Sequence, residues 1–233
     1  MSQGLQRQLT LAVRLRDEAT FDNFLPSPAN HVLLDTLEDQ TGSGGEPLVL
    51  LHGPAGSGKS HLLQASCHQA GARALYLPLA EVMDYAPGDV LQGVETLDLV
   101  CLDDLQAVLG RRAWELALFD FYNRARQARC HMVIAADASP RELDVDLDDL
   151  RSRLSWGLVF QLAQADDREK ADILCFRARR RGLALTPDVA NYIIHRAPRR
   201  MEDLLALLDT LDENSLAEQR SLSIPFVKSV LGW

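Results

Sequence analysis

Residues 53–60 read Gly-Pro-Ala-Gly-Ser-Gly-Lys-Ser, a complete Gly-x-x-x-x-Gly-Lys-Ser pattern. Glycines at this spacing let successive backbone N–H groups turn toward one point and form a nest for anionic oxygens. Such a loop needs a strand before it and a helix after it, because the helix N-terminus adds partial positive charge at the same point. The flanking sequence supplies both. Leu48-Val-Leu-Leu-His52 is an apolar run of strand length, and His61 to Ala70 is helical in pattern. In this context Lys59 reaches the β- and γ-phosphates of a nucleotide, and the Ser60 hydroxyl ligates Mg²⁺. The bland alternative, a flexible glycine turn with a chance lysine, does not require the strand and helix. The expected phosphate-binding set is Gly53, Pro54, Ala55, Gly56, Ser57, Gly58, Lys59, Ser60 and His61.

A chain committed to one strand–loop–helix unit is expected to repeat the alternation, and it does. Ala74-Leu-Tyr-Leu77, Asp98-Leu-Val-Cys-Leu102, His131-Met-Val-Ile-Ala-Ala136 and Gly157-Leu-Val-Phe-Gln-Leu162 read as further strands. Trp114 to Gln127 reads as a helix and residues 31–40 as an earlier one. Short apolar strands alternating with helices imply an α/β domain with a buried parallel sheet flanked by helices. Beyond Gln164 the pattern is helical only. Asp166-Asp-Arg-Glu169 resembles a capping box, Gly182 suits a helix C-terminus, and Thr186-Pro187 pairs an N-cap with a proline at the first helical position. Met201 to Leu211 and the residues after Ile224-Pro225 read as two more helices. The expected organisation is an N-terminal arm over 1–19, the α/β domain over 20–164 and a small all-α lid over 165–233.

Composition narrows the function classes. Hydrophobic residues make up 47% of the 233 and charged residues 24%, the mix of a folded globular chain. No apolar run approaches the ~20 residues that span a bilayer, and the N-terminus lacks a signal pattern, so a cytoplasmic protein without membrane contact is expected. The formal net charge is −9, which lowers the expectation of duplex binding through cationic patches. Four cysteines without Cys-x-x-Cys spacing read as buried reduced thiols rather than ligands.

Other polar residues gain meaning beside the phosphate loop. Asp103-Asp104 ends a strand-like run; there Asp103 would hold the Mg²⁺ shell and Asp104 would orient or deprotonate a water. The same pair also suits a helix cap. Asp137 ends the next strand, where it could sense a γ-phosphate or serve as a turn residue before Ser139-Pro140. Arg151 and Arg153 stand before the last strand, suited either to a solvated loop or to forking onto phosphate oxygens of a neighbouring molecule. Arg199 and Arg200 open a lid helix, where cations oppose the helix dipole unless an anion sits nearby.

Together these features resemble the AAA+ ATPases of the DnaA branch. Thr20-Phe-Asp-Asn-Phe24 followed by Asn30 looks like the opening motif of that nucleotide-binding domain, which implies a contact between Phe24 and the nucleotide. Arg151-Ser-Arg-Leu-Ser-Trp-Gly-Leu158 looks like its arginine-finger segment, with Arg153 as the finger; Arg200 falls at its sensor 2 arginine and Asp137 near its sensor 1. The arm carries Gln8-Leu9-Thr10-Leu11, similar to the motif by which proteins dock on the bacterial DNA sliding clamp through Gln8, Leu9 and Leu11; an ordinary edge strand alternates in the same way. The initiator itself continues beyond the lid into a DNA-binding domain, whereas this sequence ends at Trp233. The combination, with Trp114–Asn123 and Ser223–Lys228, resembles the Hda family, DnaA-homologous regulatory inactivators of DnaA.

That resemblance implies a negative regulator of replication initiation. Its partners would be the DnaA initiator and the DNA polymerase III sliding clamp (β subunit), with no direct sequence-specific DNA binding and a homodimer or homo-oligomer as a possible form. Its ligands would be ADP or ATP with Mg²⁺. Arg153 would act in trans on DnaA-bound ATP, while Asp104, one methylene shorter than the glutamate many AAA+ enzymes use there, implies at most weak ATPase activity of its own. The alternative is an autonomous AAA+ ATPase acting as a loader or remodelling factor.

Overall fold

The structure is a computed structural model and describes residues 15–233 apart from Ser43 and Gln219. The expected docking residues Gln8, Leu9 and Leu11 therefore lie outside the described residues. The chain divides into two compact units between Leu162 and Ala163.

In the first unit, five parallel strands form one sheet in the order β2-β3-β4-β1-β5: β1 (Leu48–His52), β2 (Ala74–Pro78), β3 (Leu99–Asp103), β4 (His131–Ala136) and β5 (Leu158–Gln161). The central strands β1, β3 and β4 are buried along nearly their whole length because both faces are covered, whereas in the edge strand β5 Leu158 and Val159 are 40% and 41% exposed. Alternate residues divide between two cores. Leu48, Leu50, Val100, Leu102, Met132 and Ile134 pack on one side with Trp114, Leu118, Phe121, Leu150 and Leu154. Val49, Leu51, Leu99, Cys101, Val133 and Ala135 pack on the other with Leu33, Leu37, Leu62, Leu63 and Cys67. The period of two is the pleat of a strand read through burial.

The second face is covered by α1 (His31–Glu38) and α2 (Lys59–Ala70), and the first by α5 (Arg112–Ala128) and α6 (Asp148–Leu154). Two short helices, α3 (Leu79–Val82) and α4 (Pro87–Leu91), fill the β2–β3 connection. The helix α6 carries Arg151 and Arg153, so the loop alternative for these arginines is corrected. Its N-cap, Leu147, has no capping side chain, and the signal that starts it comes from elsewhere in the chain.

The second unit contains α7 (Asp167–Arg180), α8 (Pro187–Ile194), α9 (Met201–Glu218) and α10 (Ile224–Leu231) around a core that includes Leu174, Ile193, Leu204, Leu208 and Phe226. Its helix starts are local. Asp166 and Glu169 exchange side-chain and backbone hydrogen bonds at 2.8 and 2.9 Å, a reciprocal capping box. Thr186 and Ser223 accept bonds from the N–H groups of Val189 and Phe226. Gly182 follows α7 with φ +77°, the left-handed conformation glycine adopts most freely. Cys67, Cys101 and Cys130 are buried as expected, but Cys175 is only half-buried, because it lies on the partly covered side of α7. Among the described residues no helix is long and apolar enough to cross a membrane.

Candidate nucleotide site and arginine segment

The loop after β1 adopts backbone angles that demand glycine. Gly53, Gly56 and Gly58 have φ of +149°, +75° and +97°. A Cβ on Gly53 would strike the Leu162 carbonyl, and one on Gly58 would come within 2.8 Å of the Phe24 ring. The second contact puts Phe24, expected at the nucleotide, directly on the loop. Phe24 also meets His61, with ring centroids 5.7 Å apart. Gly58 caps α2, so Lys59 and Ser60 are the first two helical residues.

Two polar groups of the loop fit an anion. The Ser57 hydroxyl is buried without a hydrogen-bond partner. Lys59 Nζ donates to the carbonyls of Gly53 and Pro54, at 2.7 and 2.9 Å, spanning the loop from its own helix turn. Burial lowers the Lys59 ammonium pKa, and the charges of Asp103, Asp104 and Asp137 oppose that shift. The charges of three carboxylates therefore act on one lysine. Among the described residues no group of three or more His, Cys, Asp or Glu is arranged to hold a metal alone. A magnesium ion here would need Ser60, Asp103 and phosphate oxygens together, which is how the ion is held in loops of this kind.

The carboxylates come from adjacent strand ends. Asp103 is only 2% exposed. Its Oδ2 accepts from the Tyr76 hydroxyl at 2.7 Å and its Oδ1 from the Asp104 N–H at 3.0 Å. Burial and the charge of Asp103 push the Tyr76 phenol well above its ordinary range, which keeps it a donor. Asp104 sits at φ +55°, a left-handed conformation that Asp tolerates better than most residues. Burial and Asp103 raise its carboxyl pKa, while Gln106 and Lys59 pull it back. Gln106 donates to Asp104 at 3.1 Å and accepts from the exposed Asp137 N–H at 3.2 Å, joining the ends of β3 and β4. Sequence reasoning missed Tyr76 and Gln106. Tyr76 stood in a strand as an apparent core aromatic, and Gln106 followed the acidic pair in an unremarkable turn.

Arg153 lies elsewhere in the same unit, on α6. Its guanidinium is 4.2 Å from the Trp156 ring centroid, 5.7 Å from Tyr122 and 6.0 Å from Phe119. No carboxylate pairs with it among the described residues. Trp156 itself is 64% exposed. The helix bearing Arg153 is anchored by Glu115, which is fully buried on α5. Glu115 accepts the N–H groups of Gly110, Asp146 and Leu147 at 2.9, 3.0 and 2.8 Å. It thus supplies the capping carboxylate that α6 lacks locally. In the second unit, Arg200 precedes α9 and pairs with Glu202 at 2.7 Å, while Arg199 lies 4.0 Å from Asp167. The anion that offsets the helix dipole there is thus a carboxylate of the first turn.

Comparison with known proteins accounts for both units. The family model of the bacterial DnaA ATPase domain matches residues 15–161, and that of the Hda lid domain matches residues 167–231. An uncharacterized protein of Haemophilus influenzae is 41% identical over 231 residues, 97% of this chain and 99% of its own. Domain III of the replication initiation protein DnaA from Thermotoga maritima superposes with a TM-score of 0.75 at 22% identity, covering 94% of this chain and 98% of that one. AMPPCP-bound DnaA from Aquifex aeolicus gives 0.71 at 21% identity, covering 87% and 68%. The chain belongs to the bacterial DnaA ATPase-domain family, as an Hda-like AAA+ protein with a DnaA-related role in replication.

Proposed function

We propose that this chain is a negative regulator of bacterial replication initiation that acts on the nucleotide of its partner. With the DNA-loaded sliding clamp, it would stimulate hydrolysis of DnaA-bound ATP and leave inactive ADP–DnaA. The observation that carries the reading is Arg153: an arginine without a carboxylate partner among the described residues, resting on an exposed tryptophan. An aromatic face holds a guanidinium by about 0.5–1 kcal/mol at an exposed site, little enough to be exchanged for a phosphate. Delivered to the γ-phosphate of a neighbour, its planar fork stabilises charge on the transferring oxygens, and such fingers contribute ~10³–10⁵ in rate.

The chain's own loop would hold ADP or ATP. Ser57, freed from its orphaned state, and the N–H groups around Gly56 and Gly58 take the phosphates. Lys59 exchanges its two carbonyl partners for phosphate oxygens. Magnesium, held by Ser60, Asp103 and the nucleotide, would neutralise phosphate charge. Arg200 in the lid would sense the nucleotide by leaving Glu202. Gln8, Leu9 and Leu11 would tether the chain to the clamp as an added strand with side chains in pockets.

The test uses ATP-loaded DnaA, clamp-loaded DNA and this chain, with ADP on DnaA as the readout. ADP should accumulate only when all three are present. A Leu9→Ala, Leu11→Ala double variant should fail to retain the clamp in a pull-down and lose the stimulation. A second reading is favoured by Asp103, Asp104 and the Gln106 bridge to Asp137, a carboxylate set that an autonomous ATPase would use. Substantial ATP turnover by this chain alone, without DnaA or clamp, would establish that reading instead.

A further inference from the structure

The register of β2 and β3 brings Tyr76 to Asp103. The two strands run parallel, with Tyr76 opposite Cys101 and Pro78 opposite Asp103. Alternation puts Asp103 on the same face of β3 as Leu99 and Cys101, and Tyr76 packs against the core on that face. Asp103 therefore stands two residues beyond the partner of Tyr76, about 6.6 Å further along the strand direction. A tyrosine leaning along its strand spans that step, and its hydroxyl donates to Asp103 Oδ2 at 2.7 Å. A phenylalanine would bring no donor to that oxygen, and a serine or threonine would not reach it.

The bond matters because of what Asp103 lacks. The residue is 2% exposed, so water does little for its charge. Among the described residues it forms no ion pair. Two neutral donors hold it instead, one on each oxygen: the Tyr76 hydroxyl and, at 3.0 Å, the Asp104 N–H. A carboxylate offers about four acceptor positions, so roughly two are left for a cation and its waters. The Asp104 N–H belongs to the next peptide and ties the carboxylate only to its own turn. Tyr76 ties it to another strand of the sheet.

We propose that Tyr76 is a positioning residue of the nucleotide site, whose hydroxyl holds the Asp103 carboxylate in the orientation that a magnesium shell needs. The inference rests on the nucleotide-binding reading of the loop. Tyr76 touches neither nucleotide nor metal in this role; it keeps a ligand from rotating away. Loss of such an outer partner typically costs about 10–100-fold in metal affinity. A plain tie between two strands would have no such effect. The same strand pair carries a plain tie at its other end, where Arg73 donates to the Asp98 carboxylate at 2.8 Å on the exposed surface.

The experiment measures ADP binding to the full chain, first in EDTA and then across a Mg²⁺ titration. In the wild type, Mg²⁺ should strengthen ADP binding. Tyr76→Phe keeps the ring and removes only the hydroxyl. It should raise the Mg²⁺ concentration for half-maximal enhancement about ten-fold or more, while ADP affinity in EDTA stays at the wild-type value. Arg73→Ala should leave both values unchanged. A measurement without substitution runs alongside: with tyrosine labelled at Cζ, the Tyr76 resonance of the ADP-bound wild type should shift when Mg²⁺ is added. If ADP binds and the Mg²⁺ midpoint of Tyr76→Phe stays at the wild-type value, or Arg73→Ala moves it as far, or the Tyr76 resonance ignores Mg²⁺, the positioning role is overturned and the nucleotide site stands. If the wild type binds no ADP under either condition, the site reading falls and the positioning role with it.

Discussion

Asp103 and Arg153 are opposite charges placed in the same α/β unit, and they are held in opposite ways. Both oxygens of Asp103 are engaged, by Tyr76 and by the Asp104 N–H, and the side chain is almost wholly buried. Among the described residues Arg153 has aromatic faces instead of hydrogen-bonded partners, and the nearest of them is itself largely exposed. A buried carboxylate with directional bonds is fixed; leaving either bond costs desolvation. A guanidinium on a ring slides and leaves cheaply. On the proposed function, the tightly held carboxylate would fix a ligand in place and the loosely held guanidinium would be given to a partner. What makes the arginine dependable is the base of its helix rather than the tip of its side chain, since Glu115 pins the start of α6 through the Asp146 and Leu147 N–H groups and ties it to the Gly110 N–H ahead of α5.

The largest way to break this contrast is Glu115→Ala. It orphans two backbone donors at the root of α6 and the Gly110 N–H ahead of α5, and denaturant unfolding should show a loss of about 3 kcal/mol or more. A stability unchanged within error would mean that α6 needs no such anchor. Lys59→Ala strikes the ligand-holding side of the contrast. It should weaken nucleotide binding by about 1.5–3 kcal/mol, roughly ten- to a hundred-fold by titration, and leave the unfolding midpoint nearly unchanged. Trp156→Ala strikes the loosely held guanidinium alone. It should reduce stimulation of a partner's hydrolysis about two- to five-fold, from a cation–π contact of about 0.5–1 kcal/mol, with nucleotide affinity unaltered. The smallest effect lies at the opposite edge of the sheet. Arg73 holds the Asp98 carboxyl below its ordinary pKa through a 2.8 Å hydrogen bond. A depressed carboxylate stabilises the fold above its unfolded pKa, and that contribution is lost as pH falls through the folded value. Arg73→Ala should therefore flatten the acid limb of the stability profile slightly, leaving nucleotide binding intact.

How much of this was readable in the sequence depended on how far apart the interacting residues stand. The phosphate loop, the five strands and the capping box at Asp166 are local patterns, and each appears where its spacing predicted it. The short helix α6 was not readable as a helix, because its cap is a side chain from α5, 32 residues away from Leu147. Tyr76 and Asp103 are 27 residues apart, and Arg16 and Gln64 are 48 apart. Nothing in the composition of either segment announces such a pairing. The strand order was equally silent, since β1 lies between β4 and β5 only through crossovers that periodicity does not encode. Arg200 was readable as a cation in an awkward place, and the resolution, Glu202, stood two residues on.

The central claim is that this chain acts on a nucleotide it does not itself bind, and Arg153→Ala tests it most directly. DnaA is loaded with labelled ATP, the loop of this chain is filled beforehand with unlabelled ADP, and conversion on DnaA is followed in a single turnover with clamp-loaded DNA. Wild-type chain should accelerate conversion, and Arg153→Ala should return it toward the unstimulated rate, a loss on the order of 10³-fold, while keeping clamp retention and its own nucleotide affinity. Normal stimulation by the Arg153→Ala chain would contradict the account.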